Sequence, residues 1–258
     1  PLYTRALEQA AVRTSLRAAP VETSGLRLAS SSSAEPSIAL APHALVDLVP
    51  REARGFFGDP VGSTSVSVRR MPLLAQPGGR LVARDGQCEH VRFTAGRCPT
   101  AAREIAVSAD QARVHAQRVG DPLAVGEWDG AVSTLEASPR TTLVIVGVYQ
   151  PVDGPYWFGE APTGPAADGT GFDDLLTPLQ TLTESVTAPD GRPTTWFEPR
   201  YEVGLPLLVD RVGVDELGPL GVTLARLVEY PLGVERAGTH VADTVTVRTG
   251  LPALAAQA

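Results

Sequence analysis

The side chains able to make or break bonds are few in this chain, and they are scattered. There are two cysteines, Cys88 and Cys98, and four histidines, His43, His90, His115 and His240. Only His90 lies close to the cysteines in sequence. Tetrahedral zinc wants three or four ligands, so two thiols and one imidazole do not complete a structural site. The cysteine spacing fits a disulfide closing a small loop, worth about 2–4 kcal/mol in the usual case. Such a bond implies an oxidising, extracytoplasmic compartment. The alternative is a pair of free thiols in a cytosolic protein.

The carboxylates form no telling pair either. Asp173 and Asp174 are adjacent, so on a regular element they diverge, and a solvated loop is the simpler expectation. Glu8, Glu104 and Asp210 each have the chemistry of a general acid, but none has a partner at a diagnostic spacing. The chain contains no G-x-S-x-G elbow, no H-E-x-x-H, no G-x-x-x-x-G-K and no dinucleotide G-x-G-x-x-G. No residue is therefore named as catalytic, no metal ligand set is named, and no cofactor is implied.

Aromatic side chains give the remaining candidates. The segment PYWFGE, Pro155 to Glu160, places Tyr156, Trp157 and Phe158 in a stretch rich in Gly, Pro and Asp. They either fold back to cap a core or form an exposed patch for a partner or an apolar ligand. Trp196, Phe197 and Tyr201 pose the same choice, and strand packing is the simpler expectation for them.

The elements that must position these groups follow from periodicity. Gly96, Cys98 and Pro99 mark a turn. Ile105 and Val107 alternate with polar neighbours from Glu104 to Val107, as in a short strand. Ser108 stands three residues before Gln111, a capping-box spacing. Ala112, Ala116 and Val119 share a helical face, and Gly120 suits a helix end. Leu123 and Val125 suggest a second strand. The run from Leu143 to Val148 suits a strand buried on both faces.

Elsewhere, Pro1 to Ala19 reads as a helix ended by Pro20. Leu26 and Leu28 read as a strand, and Ser30 to Ser33 as a surface loop. His43 to Leu48 and Arg51 to Phe57 read as helices separated at Pro50. Ser63 to Arg69 alternates like a strand with one polar face, and Pro77-Gly78-Gly79 suits a hairpin turn. Glu202 to Val212 reads as a strand, and Asp215 starts the best amphipathic helix. In it Leu217, Leu220, Leu224, Leu227 and Val228 share one face, and Pro231 ends it. Thr244 to Arg248 reads as a last strand, with Pro252 in the first turn of a terminal helix.

Composition bounds the function classes. The chain has 258 residues, with 43% hydrophobic and 20% charged, as in a soluble globular protein. Its net charge of −7 argues against nucleic acid and against a basic surface for anionic lipid. Every basic residue except histidine is arginine. The longest apolar run, Leu143 to Tyr149, falls far short of the roughly 20 residues of a membrane-spanning helix. The chain starts at Pro1 without a methionine or a signal peptide, and is expected to be an excised fragment.

One resemblance emerges from the order G-x-C-P (Gly96 to Pro99), EIAVSADQA (Glu104 to Ala112), VGDPL (Val119 to Leu123) and VIVGVYQP (Val144 to Pro151). PYWFGE follows it, and PLYTRALEQAAVRTSLRAAP opens the chain. Together these resemble the extracytoplasmic domain of an FtsX-like, MacB-type ABC transporter permease of the kind common in actinobacteria. The resemblance touches about half of the chain.

It implies an α+β fold. A porter-like α/β part is expected from both ends, 1–75 and 176–258, with a smaller β-rich, sabre-like part inserted at 76–175. It implies a non-catalytic domain on the extracytoplasmic side of the cell membrane, moved by cytoplasmic ATP hydrolysis. The implied partners are an ABC ATPase reached through membrane helices outside this stretch, and an extracytoplasmic protein or lipophilic substrate. No family binding residue transfers position by position. The competing reading, a secreted binding protein or hydrolase with its signal removed, expects separated termini and a deep cleft with convergent polar groups.

Overall fold

The structure is a computed structural model that describes residues 2–31, 42–70, 79–127, 140–164, 173–187, 193–195, 197, 199–229, 232–236 and 239–256. Helices α1 (Leu2–Ala18) and α2 (Val21–Ser24) lead into strand β1 (Leu26–Ser31). Helices α3 (Pro42–Val46) and α4 (Arg51–Arg54) precede β2 (Val61–Arg70), β3 (Gly79–Arg84) and β4 (Val91–Gly96). Next come β5 (Glu104–Ser108), α5 (Ala109–Val114), β6 (Pro122–Glu127) and β7 (Arg140–Pro151). Short elements follow: β8 (Leu175–Leu176), α6 (Leu179–Leu182), β9 (Ser185–Thr187) and β10 (Pro193–Thr195). The chain closes with β11 (Arg200–Leu205), α7 (Val214–Glu229), β12 (Leu232–Arg236), β13 (Thr239–Arg248) and α8 (Leu251–Ala255). The class is α+β, and the chain divides into two compact units, one of Pro1–Gly62 with Tyr201–Ala258 and one of Ser63–Arg200.

The first unit is helix packed on sheet. Its strands run in the order β12, β13, β1, β11, all antiparallel. Alternation puts Leu26 and Leu28 of β1 on one face with Val203 and Leu205 of β11. Val12 and Leu16 of α1 and Leu217, Leu220, Leu224 and Leu227 of α7 cover that face. On β1 and β11 the alternate positions carry Arg27 and Glu202, which form an ion pair. Pro20 stops α1, as expected: it stands at the N-cap of α2 with ψ 147°.

Five expectations need correction here. Ser30 and Ser31, expected in a surface loop, continue β1, and Ser30 is fully buried. Val228 does not join the buried stripe; it is 43% exposed, one residue from the end of α7. The strand expected to Val212 stops at Leu205, because Pro206 has no N–H for the ladder. Leu207 then makes only an isolated bridge to Phe57. Helices α3 and α4 are a single turn each, shorter than His43–Leu48 and Arg51–Phe57. The last strand starts at Thr239 rather than Thr244.

In the second unit the strands pair in a ring. β2 pairs antiparallel with β3, β3 parallel with β8, and β8 antiparallel with β5. β5 pairs parallel with β7, β7 antiparallel with β6, and β6 antiparallel with β2. Closing the ring satisfies the ladder groups of both edges. Val68, Leu81, Ile105, Val125, Leu143 and Leu175 are fully buried within one core, to which Leu182 and Phe197 also belong. The polar face expected of Ser63 to Arg69 is present: Ser63, Ser65 and Ser67 are half-buried, while Val66 and Val68 are buried. Pro77, Gly78, Ser32, Ser33 and Pro231 lie outside the described residues.

β7 departs from the both-faces expectation. Leu143 and Ile145 are buried, but Val144 is 41% exposed and Val146 half-buried. A bulge opposite Ile105 and Ala106 shifts the register, and Gly147, Val148 and Tyr149 beyond it are all buried. Gly147 sits opposite Gly96 on β4. A Cβ at Gly147 would stand under 3 Å from Arg97 O and the Phe93 ring, and one at Gly96 under 3 Å from Val146 O. Gly96 also has φ 68°, a left-handed conformation.

α5 is shorter than its pattern suggested. It ends at Val114, so Ala112 is buried but Ala116 and Val119 are exposed. Ala116 itself takes the left-handed conformation (φ 51°), and Gln117 N donates to Ala112 O to close the end. Gly120, with φ 98°, serves the turn into β6 instead.

Candidate functional site

All the side chains that sequence singled out in the middle of the chain belong to the second unit. The disulfide Cys88–Cys98 is formed, with Cα atoms 5.9 Å apart. Cys88 sits in a single 3-10 turn, Gln87–Glu89, entered through Gly86 at φ 72°. Cys98 follows β4, in a loop clamped by Glu104. That carboxylate accepts from the Arg97 guanidinium and from the backbone N–H of Thr100 (2.9 Å) and Ala101 (3.1 Å). Arg97 first, then these N–H groups, hold the Glu104 carboxyl down at about 2. Glu104 is thus an anion at neutral pH, and its hydrogen bonds shape the loop.

The aromatic segment folds back on the unit. Trp157 and Phe158 are buried; Trp157 shares a small core with Val91, Ala106, Tyr149 and Leu176. The Trp157 indole donates to Val152 O at 2.9 Å, and Phe158 takes φ 50° at the end of the Pro155–Trp157 turn. Tyr156 is half-buried and stacks on His90 with ring centres 3.6 Å apart. Its hydroxyl donates to Asp85 O at 2.8 Å, and its own carbonyl accepts from the Arg84 guanidinium at 2.8 Å. Burial pushes the Tyr156 hydroxyl above the ordinary phenol range. Of the three candidates for partner contact, only Tyr156 therefore keeps part of its surface in solvent.

Asp173 and Asp174 are the correction to the sequence reading. Asp174 is buried rather than solvated. Arg80 of β3 grips it with Nε and Nη2, both at 3.0 Å, and Glu160 lies 3.8 Å from the same guanidinium. Burial raises the Asp174 carboxyl and the Arg80 charge opposes that rise. The Asp174 carbonyl accepts from the buried Tyr149 hydroxyl at 2.8 Å. Asp173 accepts from Ser108 Oγ and, at 2.8 Å, from Gly164 N. Adjacent carboxylates do diverge, and here each finds its own distant partner. Arg80 is 94 residues away, which no spacing rule detects.

Ser108 caps α5 as its spacing implied, accepting from Gln111 N at 3.0 Å. The reciprocal half of the box is not made; Gln111 Nε2 donates to Asp173 O instead. The Ser108 hydroxyl is thus committed to a helix cap and a carboxylate. His90 is stacked, His115 is exposed, Glu8 is exposed, and Asp210 pairs with Arg17 on the first unit. Phe197 is buried and Tyr201 half-buried in β11, while Trp196 lies outside the described residues. Among the described residues no three metal-ligating side chains come together. None of the described helices is long and apolar enough to cross a membrane.

No family model matches the chain. No curated protein matches it either. Among solved structures it is similar to a domain assigned to a permease protein from Porphyromonas gingivalis, at 11% identity and a TM-score of 0.35. That alignment covers 86% of this chain and 88% of the other.

Proposed function

We propose that this chain is a non-catalytic extracytoplasmic domain of an ABC transporter permease, joined through flanking membrane helices to an ATPase. Its work is mechanical: to pass movement to, or hold, an extracytoplasmic protein or a lipophilic substrate.

The observation that carries this reading is the path of the chain. The first and last helices belong to one unit and both pack on α7. Arg5 of α1 pairs with Asp215, and the N–H of Val214 donates to Gln9 of α1 at 3.0 Å. Ala255 of α8 sits against Gly221. The whole of Ser63–Arg200 is inserted between the two halves of that unit. A domain strung between two membrane helices needs both ends on one body, whereas a free-standing protein is under no such demand. The disulfide supports the extracytoplasmic side. The Arg80–Asp174 pair, the Glu104 clamp and the folded-back aromatic loop all tie polar groups down, as suits a body that transmits force.

The test is topological. The intact gene product is expressed in its host, and intact cells are treated with a membrane-impermeant protease. The chain should sediment with membranes and this domain should be cut from outside. Recovery of the domain as a soluble protein in the medium or the cytosol would overturn the reading.

A further inference from the structure

The ring of the second unit is not equally strong all round. Among the described residues, β8 meets β3 at Leu175 and Leu176 and β5 at Leu176 alone. Every other pairing in the ring runs over three residues or more. A strand of two residues is shorter than the ordinary range, so its ladder bonds alone hold it weakly. Yet Leu175 and Leu176 are fully buried, each in a different core of the unit.

Side chains on either flank of β8 supply the hold. Before it, Asp174 is gripped by Arg80, and its N–H donates to Pro162 O at 2.8 Å. After it, Thr177 is fully buried with every polar group engaged. Its N–H donates to Val82 O at 2.9 Å and its hydroxyl to Glu104 O at 2.8 Å. Its carbonyl accepts from Gln87 Nε2 at 2.8 Å. The Thr181 hydroxyl, 2.8 Å from that of Thr177, accepts from Arg103 N at 3.0 Å. Gln87 is itself buried, and its Oε1 accepts from Arg84 N at 3.1 Å. A buried polar group stripped of its partner costs more than the bond it made, so these groups hold as a set.

Two arms thus reach Thr177, and the disulfide joins them. Gln87 stands directly before Cys88 in the 3-10 turn. Glu104, whose carbonyl takes the Thr177 hydroxyl, holds the Cys98 loop with its carboxylate through Thr100 N and Ala101 N. From this circuit we infer that β8 is where the ring opens, and that the Cys88–Cys98 bond is a redox latch holding it shut. Thiol–disulfide exchange works the latch. A thiolate of an external dithiol attacks one sulfur, the S–S bond breaks, and the second thiol resolves the mixed disulfide. Cys88 and Cys98 leave as two thiols and the dithiol leaves as a disulfide. The turn carrying Gln87 and the loop carrying Cys98 can then part, and β8 loses one of its two arms. The inference concerns the second unit alone and does not rest on the membrane reading.

The test is backbone hydrogen exchange of the whole chain, followed residue by residue. Three samples are compared: oxidised protein, protein reduced with dithiothreitol, and oxidised Gln87→Ala. The Thr177 and Arg103 amides report the seam, and the Ile145 amide of β7, bonded to Asp121 O at 3.0 Å, reports the rest of the ring. Reduction should speed the seam amides roughly tenfold more than Ile145, without dependence on dilute urea, the mark of a local opening. Reoxidation should restore the slow rates. Gln87→Ala, with the disulfide intact, should speed the same seam amides by roughly tenfold and leave Ile145 unchanged. Equal acceleration of the seam and Ile145 would show general loosening and overturn the inference. So would a seam unchanged in either sample, or a bond that dithiothreitol leaves intact in the folded protein.

Discussion

The two units solve the same problem by different means. In the first, β1 and β11 bury one face of the sheet, and the amphipathic helices α1 and α7 cover it. In the second, six strands pair in a ring, so the interior is enclosed by the strands themselves. The elements of the first are written in local periodicity, although the unit joins the two ends of the chain. Both units join residues far apart and both hold a largely buried ion pair, Arg27–Glu202 in the first and Arg80–Asp174 in the second, but only the second adds further pins, a disulfide and a clamped loop. Closing strands into a ring fixes register everywhere at once, so small insertions of volume or losses of a pin should be felt more in the second unit.

The largest expected effect comes from the ring interior. Leu143→Ala should destabilise by about 4 kcal/mol, because a fully enclosed site cannot collapse around the cavity. Val228→Ala, outside the stripe on α7, should change stability by less than about 0.5 kcal/mol; urea melts of both check the contrast. Gly147→Ala should cost about 3 kcal/mol, since the new Cβ meets backbone that must move. A crystal structure of this variant should show β4 displaced from β7, and an unmoved β4 with full stability would remove the close-approach argument. Replacing both cysteines by alanine should cost about 2–3 kcal/mol, as for a loop of this size. Alkylation without reductant should find no free thiol in the wild type.

Smaller effects sharpen the picture of the clamped loop. The Glu104 carboxyl is held at about 2, below its ordinary 4.5, so its contribution is present above pH 4.5 and lost as pH falls toward 2. Glu104→Gln should therefore cost about 1 kcal/mol at pH 7, and the difference between wild-type and variant melts should shrink below pH 4.5 and vanish as pH falls through 2. A difference that stays constant with pH would show that Glu104 acts through shape alone. Ala116→Gly should stabilise by about 0.5–1 kcal/mol, because glycine takes φ 51° without strain.

Much of the first unit was legible because its signals are local. The α1 boundary, the Leu217 to Leu227 stripe and the alternation in β1 each depend on residues within one or two turns. Where the reading failed, a local rule met a boundary: Val228 at a helix end, Pro206 cutting a strand, α5 stopping before Ala116. In the second unit the element sequence β5, α5, β6, β7 was legible, and so was the Cys88–Cys98 spacing. The Arg80–Asp174 pair was not, since two aspartates in a Gly-rich loop look solvated until a partner from β3 arrives.

The sequence by itself determined the α+β class, the strand and helix periods, the turn at Gly96 and the placement of Tyr156, Trp157 and Phe158 after β7. Each of these depends on backbone stereochemistry or on an apolar period, which act over a few residues. Tertiary structure alone decided that Trp157 and Phe158 are core while Tyr156 keeps an exposed edge, that Asp174 is buried, and that the strands of the second unit close on themselves. Those outcomes turn on which distant groups share a buried volume, and burial is a property of the assembled chain rather than of any segment of it.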